Sequence, residues 1–250
     1  MKLYVLEAGH VYIPDTSHFT PERNMGAPIT IPLSMFFIDH PKGLVVFDTG
    51  LNMDNLPEAM KKDVQYTPDQ RIDRQMARLG YRPEDVKYVI LSHMHVDHVG
   101  GMAFFPDATF IVRKEELRMA WWPESYEGGY FFLDYKDTRG YKYIQPRDDE
   151  EVDVFFDGSL VLVDTRGHSR GHQSLIVNLQ KSGRIVLAGD AVQVGENLTK
   201  GYLPGICWNS EMAVRSIEKL QHMQKEGMQI ILGHDPESFG HLKRAPEFYE

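Results

Sequence analysis

Between Val89 and Gly101 the chain reads VILSHMHVDHVGG, three histidines and an aspartate within six residues. Neutral imidazoles and carboxylates are the common ligands of zinc and related divalent ions, and an H-x-H-x-D-H loop can turn alternate side chains toward two adjacent points. Packing and solubility explain His93, His95, Asp97 and His98 poorly. Tyr88 to Leu91 form the short apolar run of a buried strand, so the cluster stands at a strand end, where ligand-holding loops occur. Three more polar residues follow apolar runs with a glycine immediately before each: His168 in TRGHSRGH, Asp190 in VLAGDA and His234 in IILGHD. A glycine lets a backbone approach the ligand without a Cβ in the way. Together the set is five histidines and two aspartates, enough for two metal ions with one shared carboxylate. His172 has no ligand role in this count and is read as packing or support.

The elements that must carry these residues can be read around them. The opening KLYVLEAGHVYI, SMFFIDH and GLVVFDTG are strand-like, the last two joined by a His-Pro-Lys-Gly turn, which predicts an antiparallel β opening. Between the first two lies PDTSHFTPERNMGAPITIP, long and proline-rich, read as a functional loop that covers the site. TPDQRIDRQMARLG has a cap at Thr67, Pro68 at the first helical position and Gly80 as a stop, and reads as one helix. After the histidine loop come a strand at ATFIVR, a helix at KEELRMAWW and an aromatic stretch from Trp121 to Tyr143. The strands VDVFF, LVLVDT, QSLIVNL and RIVLAGD then follow one another through hairpin-like turns. A helix, NSEMAVRSIEKLQHMQ, and a strand, MQIILGHD, close the series. Strands and helices in both halves without regular βαβ alternation imply an α/β (α+β) chain folded as a four-layer αββα sandwich.

Composition sets the outer bounds. The chain has 250 residues and is 42% hydrophobic, expected to form a single domain over 1–250. One cysteine, Cys207, leaves no internal disulfide and no thiolate cluster, so a metal must be held by nitrogen and oxygen. The formal net charge of −9, with no basic stripe, argues against nucleic acid. No run of eighteen apolar residues or signal-like start is found, so the expectation is a cytoplasmic chain with no membrane partner.

At this point the sequence resembles the metallo-β-lactamase superfamily, whose pattern is H-x-H-x-D-H followed by a later His, an Asp and a final His. That resemblance implies one metal on His93, His95 and His168, a second on Asp97, His98 and His234, and Asp190 bridging them. It also places Asp48 of FDTG on an aspartate that supports the ligands from behind. Within the superfamily the chain is similar to N-acyl-homoserine lactone lactonases and pyridoxolactonases through LSMFFIDHPKGLVVFDTGL, GYRPEDVKYVILSHMHVDHVGG, TRGHSRGHQSLIV and GHDPESF. It departs from the lactonases at Gln193, where they carry a tyrosine that reaches the substrate carbonyl, and at Val96, where they more often place an aromatic.

The implied activity is metal-dependent opening of a lactone ester, with Asp97 passing a proton to the leaving oxygen and Gln193 near the oxyanion. The implied cofactor is two divalent ions, zinc first, with manganese, cobalt or iron admitted by the ligand types. A small lactone is the expected substrate, and a homodimer is an open possibility. Alternatives are hydrolysis of another lactone, ester, thioester or phosphoester at the same centre. A dinuclear iron redox protein is a further one, although those relatives carry a glutamate where His95 stands. Trp121, Trp122, Tyr126, Tyr130, Phe131 and Phe132 are candidates for an apolar wall against an acyl tail, or for core or a dimer contact.

Overall fold

The computed structural model describes residues 1–250. Seven strands form the first sheet: β1 (Lys2–Ile13), β2 (Ile29–Asp39), β3 (Leu44–Phe47), β4 (Val64–Gln65), β5 (Val86–Ile90), β6 (Thr109–Ile111) and β7 (Lys142–Ile144). Their spatial order is β4-β1-β2-β3-β5-β6-β7. The opening β1-β2-β3 is antiparallel, and β3, β5, β6 and β7 run parallel. The second sheet contains β8 (Val152–Asp153), β9 (Leu160–Asp164), β10 (Gln173–Leu179), β11 (Gly183–Leu187) and β12 (Gln229–Ile231), with order β12-β11-β10-β9-β8. Its hairpins are antiparallel, and β12 returns parallel to β11.

Strands β1, β2, β3 and β5 read as nearly continuous apolar runs because both faces are covered. Leu3, Val5, Phe36, Ile38, Val45, Phe47 and Ile90 face the second sheet, meeting Leu160, Leu162, Leu175, Val177, Ile185 and Leu187. The alternate residues Leu6, Leu33, Met35, Phe37, Val46 and Val89 pack outward against Ile72, Met76 and Ala120. In chain order the helices are α1 (Glu58–Lys61), α2 (Ile72–Arg78), α3 (Val96–Val99), α4 (Lys114–Trp121), α5 (Gly195–Lys200), α6 (Ser210–Lys225) and α7 (Pro236–Gly240). On the other side Ile217 and Leu220 of α6 cover Val186 of β11 and Ala188 just after it. These are the four layers αββα that the strand order implies.

Two local readings differ. The segment from Thr67 to Gly80 is not one helix: a 3-10 turn spans Pro68–Gln70, Arg71 is extended with ψ 138°, and α2 begins at Ile72. Side chains compete for the backbone there. Gln70 closes a capping box on Thr67, and its carbonyl accepts from the Gln75 side chain at 2.7 Å. The second difference is that β2 starts at Ile29, inside the stretch read as loop, because Ile13 pairs with Ile29. The covering loop is therefore 14–28.

Candidate metal centre

Every residue singled out at a strand end lies at one end of the sandwich. Asp48 follows β3; His93 and His95 follow β5, and Asp97 and His98 stand on α3. His168 lies between β9 and β10, Asp190 follows β11, and His234 follows β12. The first sheet supplies one group and the second the other, so the centre sits on the seam between them. Gln173 stitches that seam: its backbone N–H donates to Ser92 O at 2.9 Å and its side-chain amide to Leu91 O at 2.8 Å.

The ligand atoms form three overlapping groups, His93 with His95 and His168, His93 with His98 and Asp190, and Asp97 with His98 and His234. His168 Nε2 is 3.2 Å from His93 Nε2 and 3.0 Å from His95 Nδ1. Asp190 Oδ2 lies 3.1 Å from His234 Nε2 and 3.5 Å from His168 Nε2, while Oδ1 lies 3.4 Å from His98 Nε2. Asp97 Oδ2 is 3.5 Å from His234 Nε2 and 3.6 Å from His98 Nε2. Asp190 thus stands between the two sets, with Oδ2 near His168 of one and His234 of the other and Oδ1 near His98.

Hydrogen bonds behind the rings decide what faces inward. Asp48 accepts from Ser92 N–H at 2.7 Å, Ser92 Oγ at 2.7 Å and His98 Nδ1 at 2.8 Å. With its single proton on Asp48, Ser92 Oγ accepts from His93 Nδ1 at 3.0 Å. His168 Nδ1 donates to Ile206 O at 2.9 Å and His234 Nδ1 to Pro32 O at 3.0 Å. Each of these four rings therefore turns its Nε2 to the interior, and in the neutral ring that atom is a bare lone pair. Lone pairs on His93 and His168 face each other, and Nε2 of His234 faces a carboxylate, so both contacts call for a cation between them, a proton or a metal ion. His98 Nε2 and Asp190 Oδ1 are buried with no hydrogen-bond partner, which points the same way. Ligand bonds of about 2.0–2.1 Å in a tetrahedral set put donor atoms roughly 3.4 Å apart, close to the spacings here. The donor set fits divalent cations.

The electrostatics agree. Burial holds His93 and His95 well below the usual histidine range and His168 below it, which keeps them neutral and able to ligate. Burial also acts to lower His98 and His234, but carboxylates outweigh it. Asp97, Asp48 and Asp190 push His98 well above its ordinary value, and Asp190 and Asp97 push His234 up to about 9. Asp190 is desolvated too, yet His234, His98 and His168 hold it well below the usual carboxylate range.

The glycines before the ligands have packing reasons. Gly189 has φ 54°, and a Cβ there would lie 2.7 Å from His172 Nε2. At Gly233 a Cβ would meet Gly189 O at 2.7 Å and Asp190 Oδ1 at 2.8 Å. His172 itself accepts the Asp190 backbone N–H at 2.9 Å through Nε2 and contacts Thr165 Oγ1 at 2.9 Å through Nδ1. Its burial lowers it to about 3, so it stays neutral and fixes the peptide that carries Asp190. Gln193 donates from Nε2 to Asp190 Oδ2 at 2.9 Å, and its carbonyl accepts from His234 N–H at 2.8 Å.

Glu116 of α4 escaped the sequence reading. It is fully buried and its carboxylate accepts four hydrogen bonds. Met94 N–H (2.9 Å) and Tyr130 OH (3.1 Å) donate to Oε1; Ser169 Oγ (2.7 Å) and Gly171 N–H (2.9 Å) donate to Oε2. The available signal was position: Glu116 stands i−3 and i−4 from the buried Met119 and Ala120, on the apolar face of its helix.

A cavity of about 510 Å³ opens onto the cluster at His95, Asp97, His168, Asp190 and His234. Its apolar wall comes from Val11, Ile13, Phe19, Leu33, Leu56 and Met60, whereas Tyr126 and Tyr130 of the aromatic stretch line an adjoining cavity of about 290 Å³ that meets the cluster at His95 and His168. Of that stretch only Gly128 and Gly129 reach this cavity. Trp121 and Phe131 pack on the core, Trp122, Tyr126 and Phe132 are exposed, and Tyr130 sits edge-on to His95. Chain direction sets this wall: the end of β1 and the loop that follows it lie over the ligands, and Phe19 stands 6.4 Å from the His234 ring.

Residues 31–224 match the family model of the metallo-beta-lactamase superfamily. The N-acyl homoserine lactonase AttM of Azorhizobium caulinodans is 34% identical, covering 100% of this chain and 99% of its own length. An N-acyl homoserine lactonase from Bacillus cereus is 31% identical over 99% of this chain and 98% of its own. The chain belongs to the metallo-beta-lactamase superfamily and, within it, to the N-acyl homoserine lactonase family. Among solved lactonase structures, one of a quorum-quenching N-acyl homoserine lactone lactonase superposes with TM-score 0.85 at 29% identity, covering 99% of this chain and 97% of that one. Another, of an N-acyl homoserine lactone hydrolase with N-hexanoyl-L-homoserine bound at its catalytic metal centre, gives TM-score 0.84 at 28% identity, covering 99% and 98%. Family membership makes this chain a metal-dependent hydrolase of the lactonase type.

Proposed function

We propose that residues 1–250 act as one catalytic unit that opens the ester bond of N-acyl homoserine lactones with two divalent ions, zinc first. The observation that carries this reading is the apolar cavity of about 510 Å³ ending on the carboxylate and imidazole cluster. An acyl tail takes the apolar wall while the ring ester meets the polar end. His93, His95 and His168 would hold one ion, Asp97, His98 and His234 the other, with Asp190 between. When bound, such a pair supplies the charge that activates water at neutral pH and polarises an ester carbonyl.

The chain's own residues supply the rest. Asp97 lines the cavity, is the most exposed of the carboxylates at the centre, and faces His98 and His234. It accepts the proton released as water adds to the carbonyl carbon and returns it to the ring oxygen as the C–O bond breaks, a transfer worth about 10²–10⁴-fold. One N–H of the Gln193 amide goes to Asp190 and its backbone carbonyl holds His234 N–H, so its first part is to orient those two residues, while the second N–H is left for the substrate oxygen. The single cysteine and acidic charge suit a cytoplasmic enzyme, and no helix is long and apolar enough to cross a membrane.

The test is a hydrolysis panel on metal-replete protein, with acyl-homoserine lactones of several tail lengths beside an unacylated lactone, a thioester and a phosphodiester. Fastest turnover is expected on acylated lactones, with KM falling as the tail lengthens. Activity confined to the thioester or phosphodiester would overturn the assignment. Metal analysis should find close to two ions per chain.

A further inference from the structure

We infer that Glu116 is the positioning residue of the three-histidine set, a carboxylate that locks together the two loops carrying His93, His95 and His168 without touching any of the three rings. The inference rests on the metal reading above. Met94, whose N–H is held by Oε1, is the residue between His93 and His95, so this bond fixes the peptide that sends the two rings inward. Ser169 and Gly171, held by Oε2, flank His168 on its C-terminal side in the loop from the second sheet. Tyr130, the fourth donor, adjoins Gly129, whose carbonyl accepts from Val96 N–H at 2.9 Å and whose Cα leaves room for the His95 ring. One side chain therefore joins the three backbone segments around the set.

The chemistry requires a carboxylate. Two of the donors are backbone N–H groups that can only donate, and they approach different oxygens. An amide at this position could accept from one of them and would turn its own NH2 against the other. The approach is also too close for alternatives: a Cβ on Gly171 would lie 2.5 Å from Glu116 Cβ, so the loop is built around this helix position. None of the groups that hold His234 or Asp190 bonds to Glu116; those two residues depend on Pro32, His172 and Gln193. Loss of the Glu116 carboxylate should consequently loosen one ion and spare the other.

The experiment compares wild type with Glu116→Gln as zinc-loaded full-length proteins, titrated against a chromophoric chelator that reports both dissociation steps. Crystals grown at limiting zinc, measured by anomalous scattering, show which position is depleted. Expected in Glu116→Gln is an affinity loss of about 10–100-fold in one step, the range typical of groups that orient ligands, with the other step within about threefold of wild type. The depleted position should be the one among His93, His95 and His168. Unchanged affinities, an equal loss in both steps, or depletion at the His98–His234 position would overturn the proposal. Should Glu116→Gln fail to fold, Ser169→Ala with Tyr130→Phe removes two donors while keeping the charge. Selective weakening of the same step then supports the proposal, and unchanged affinities overturn it. A wild type that binds no zinc would bring down the metal reading itself, whereas a wild type with two ions and an unaltered variant removes only the role of Glu116.

Discussion

Two buried carboxylates stand behind the centre and act in different ways. Asp48 touches a ligand ring directly, accepting from His98 Nδ1, and reaches His93 through Ser92 Oγ. Glu116 touches no ligand side chain and holds backbone instead. The first sets which ring nitrogen is bare, and the second sets where the rings are. Asp48 also sits at φ 58°, a conformation disfavoured for a residue with a Cβ, retained here by the three hydrogen bonds that its carboxylate accepts. Ligand chemistry and ligand placement are thus assigned to separate groups on separate strands and helices.

The largest effect should come from neither. Asp190→Asn, which removes the charge between the two sets, should lower lactone turnover by more than about a thousandfold, well beyond the 10–100-fold typical of supporting partners. His172→Ala, which leaves only the Asp190 peptide unsupported, should stay inside that range. Comparable losses in two folded variants would mean that the peptide of Asp190 matters as much as its charge. Next comes Asp48→Asn, expected to cost about 10–100-fold in activity, with the tighter requirement that zinc affinity at His98 falls more than at His168. A uniform loss would erase the distinction between the two carboxylates.

Much of the centre was legible in the sequence because its residues stand at the ends of apolar runs, where strand and glycine punctuation is local. His93, His95, Asp97 and His98 announce themselves by spacing, and Asp48 by its place after GLVVF. Glu116 was not legible for a physical reason. It lies beside Glu115 in the same helix, and only the packing of α4 decides that Glu115 pairs with Arg118 at the surface while Glu116 turns inward. The split of the 67–80 segment was hidden likewise, since long-range contacts such as Gln70 to Glu7 arbitrate it. The wall of the cavity depends on which loop folds over the ligands, a tertiary fact that left the aromatic stretch undecided between wall, core and contact surface in the sequence.

A smaller effect is expected at Gln193. Since a neutral amide adds at most one hydrogen bond to the substrate beside the one it gives Asp190, Gln193→Tyr should change lactone turnover by no more than about tenfold, the equivalent of 1.4 kcal/mol. A gain of orders of magnitude from an inert wild type would point to another natural substrate. The smallest prediction sharpens the carboxylate comparison with a third member. Asp134 is buried like Glu116 but accepts only from Asn55 Nδ2, at 2.7 Å, and its Oδ2 has no partner. Burial raises it to about 6, above its unfolded value, so the folded state binds the proton more tightly. Stability from this group is complete below about pH 4 and is lost as pH rises through 6. Asp134→Asn should therefore stabilise the chain at pH 8 by on the order of 2 kcal/mol and change little at pH 4, as read from urea midpoints at the two pH values.

The four carboxylates Asp48, Asp97, Asp190 and Glu116 have a collective consequence, because no lysine or arginine bonds to any of them. Two dications would balance their charge almost one for one and bring the formal net charge of the chain from −9 to about −5. Electroneutrality therefore selects for valence before the ring nitrogens select for element, and monovalent ions would leave the pocket half compensated. The element that fills it is then decided by ligand softness and by supply, so cells grown on different trace metals should yield the same fold carrying different ions.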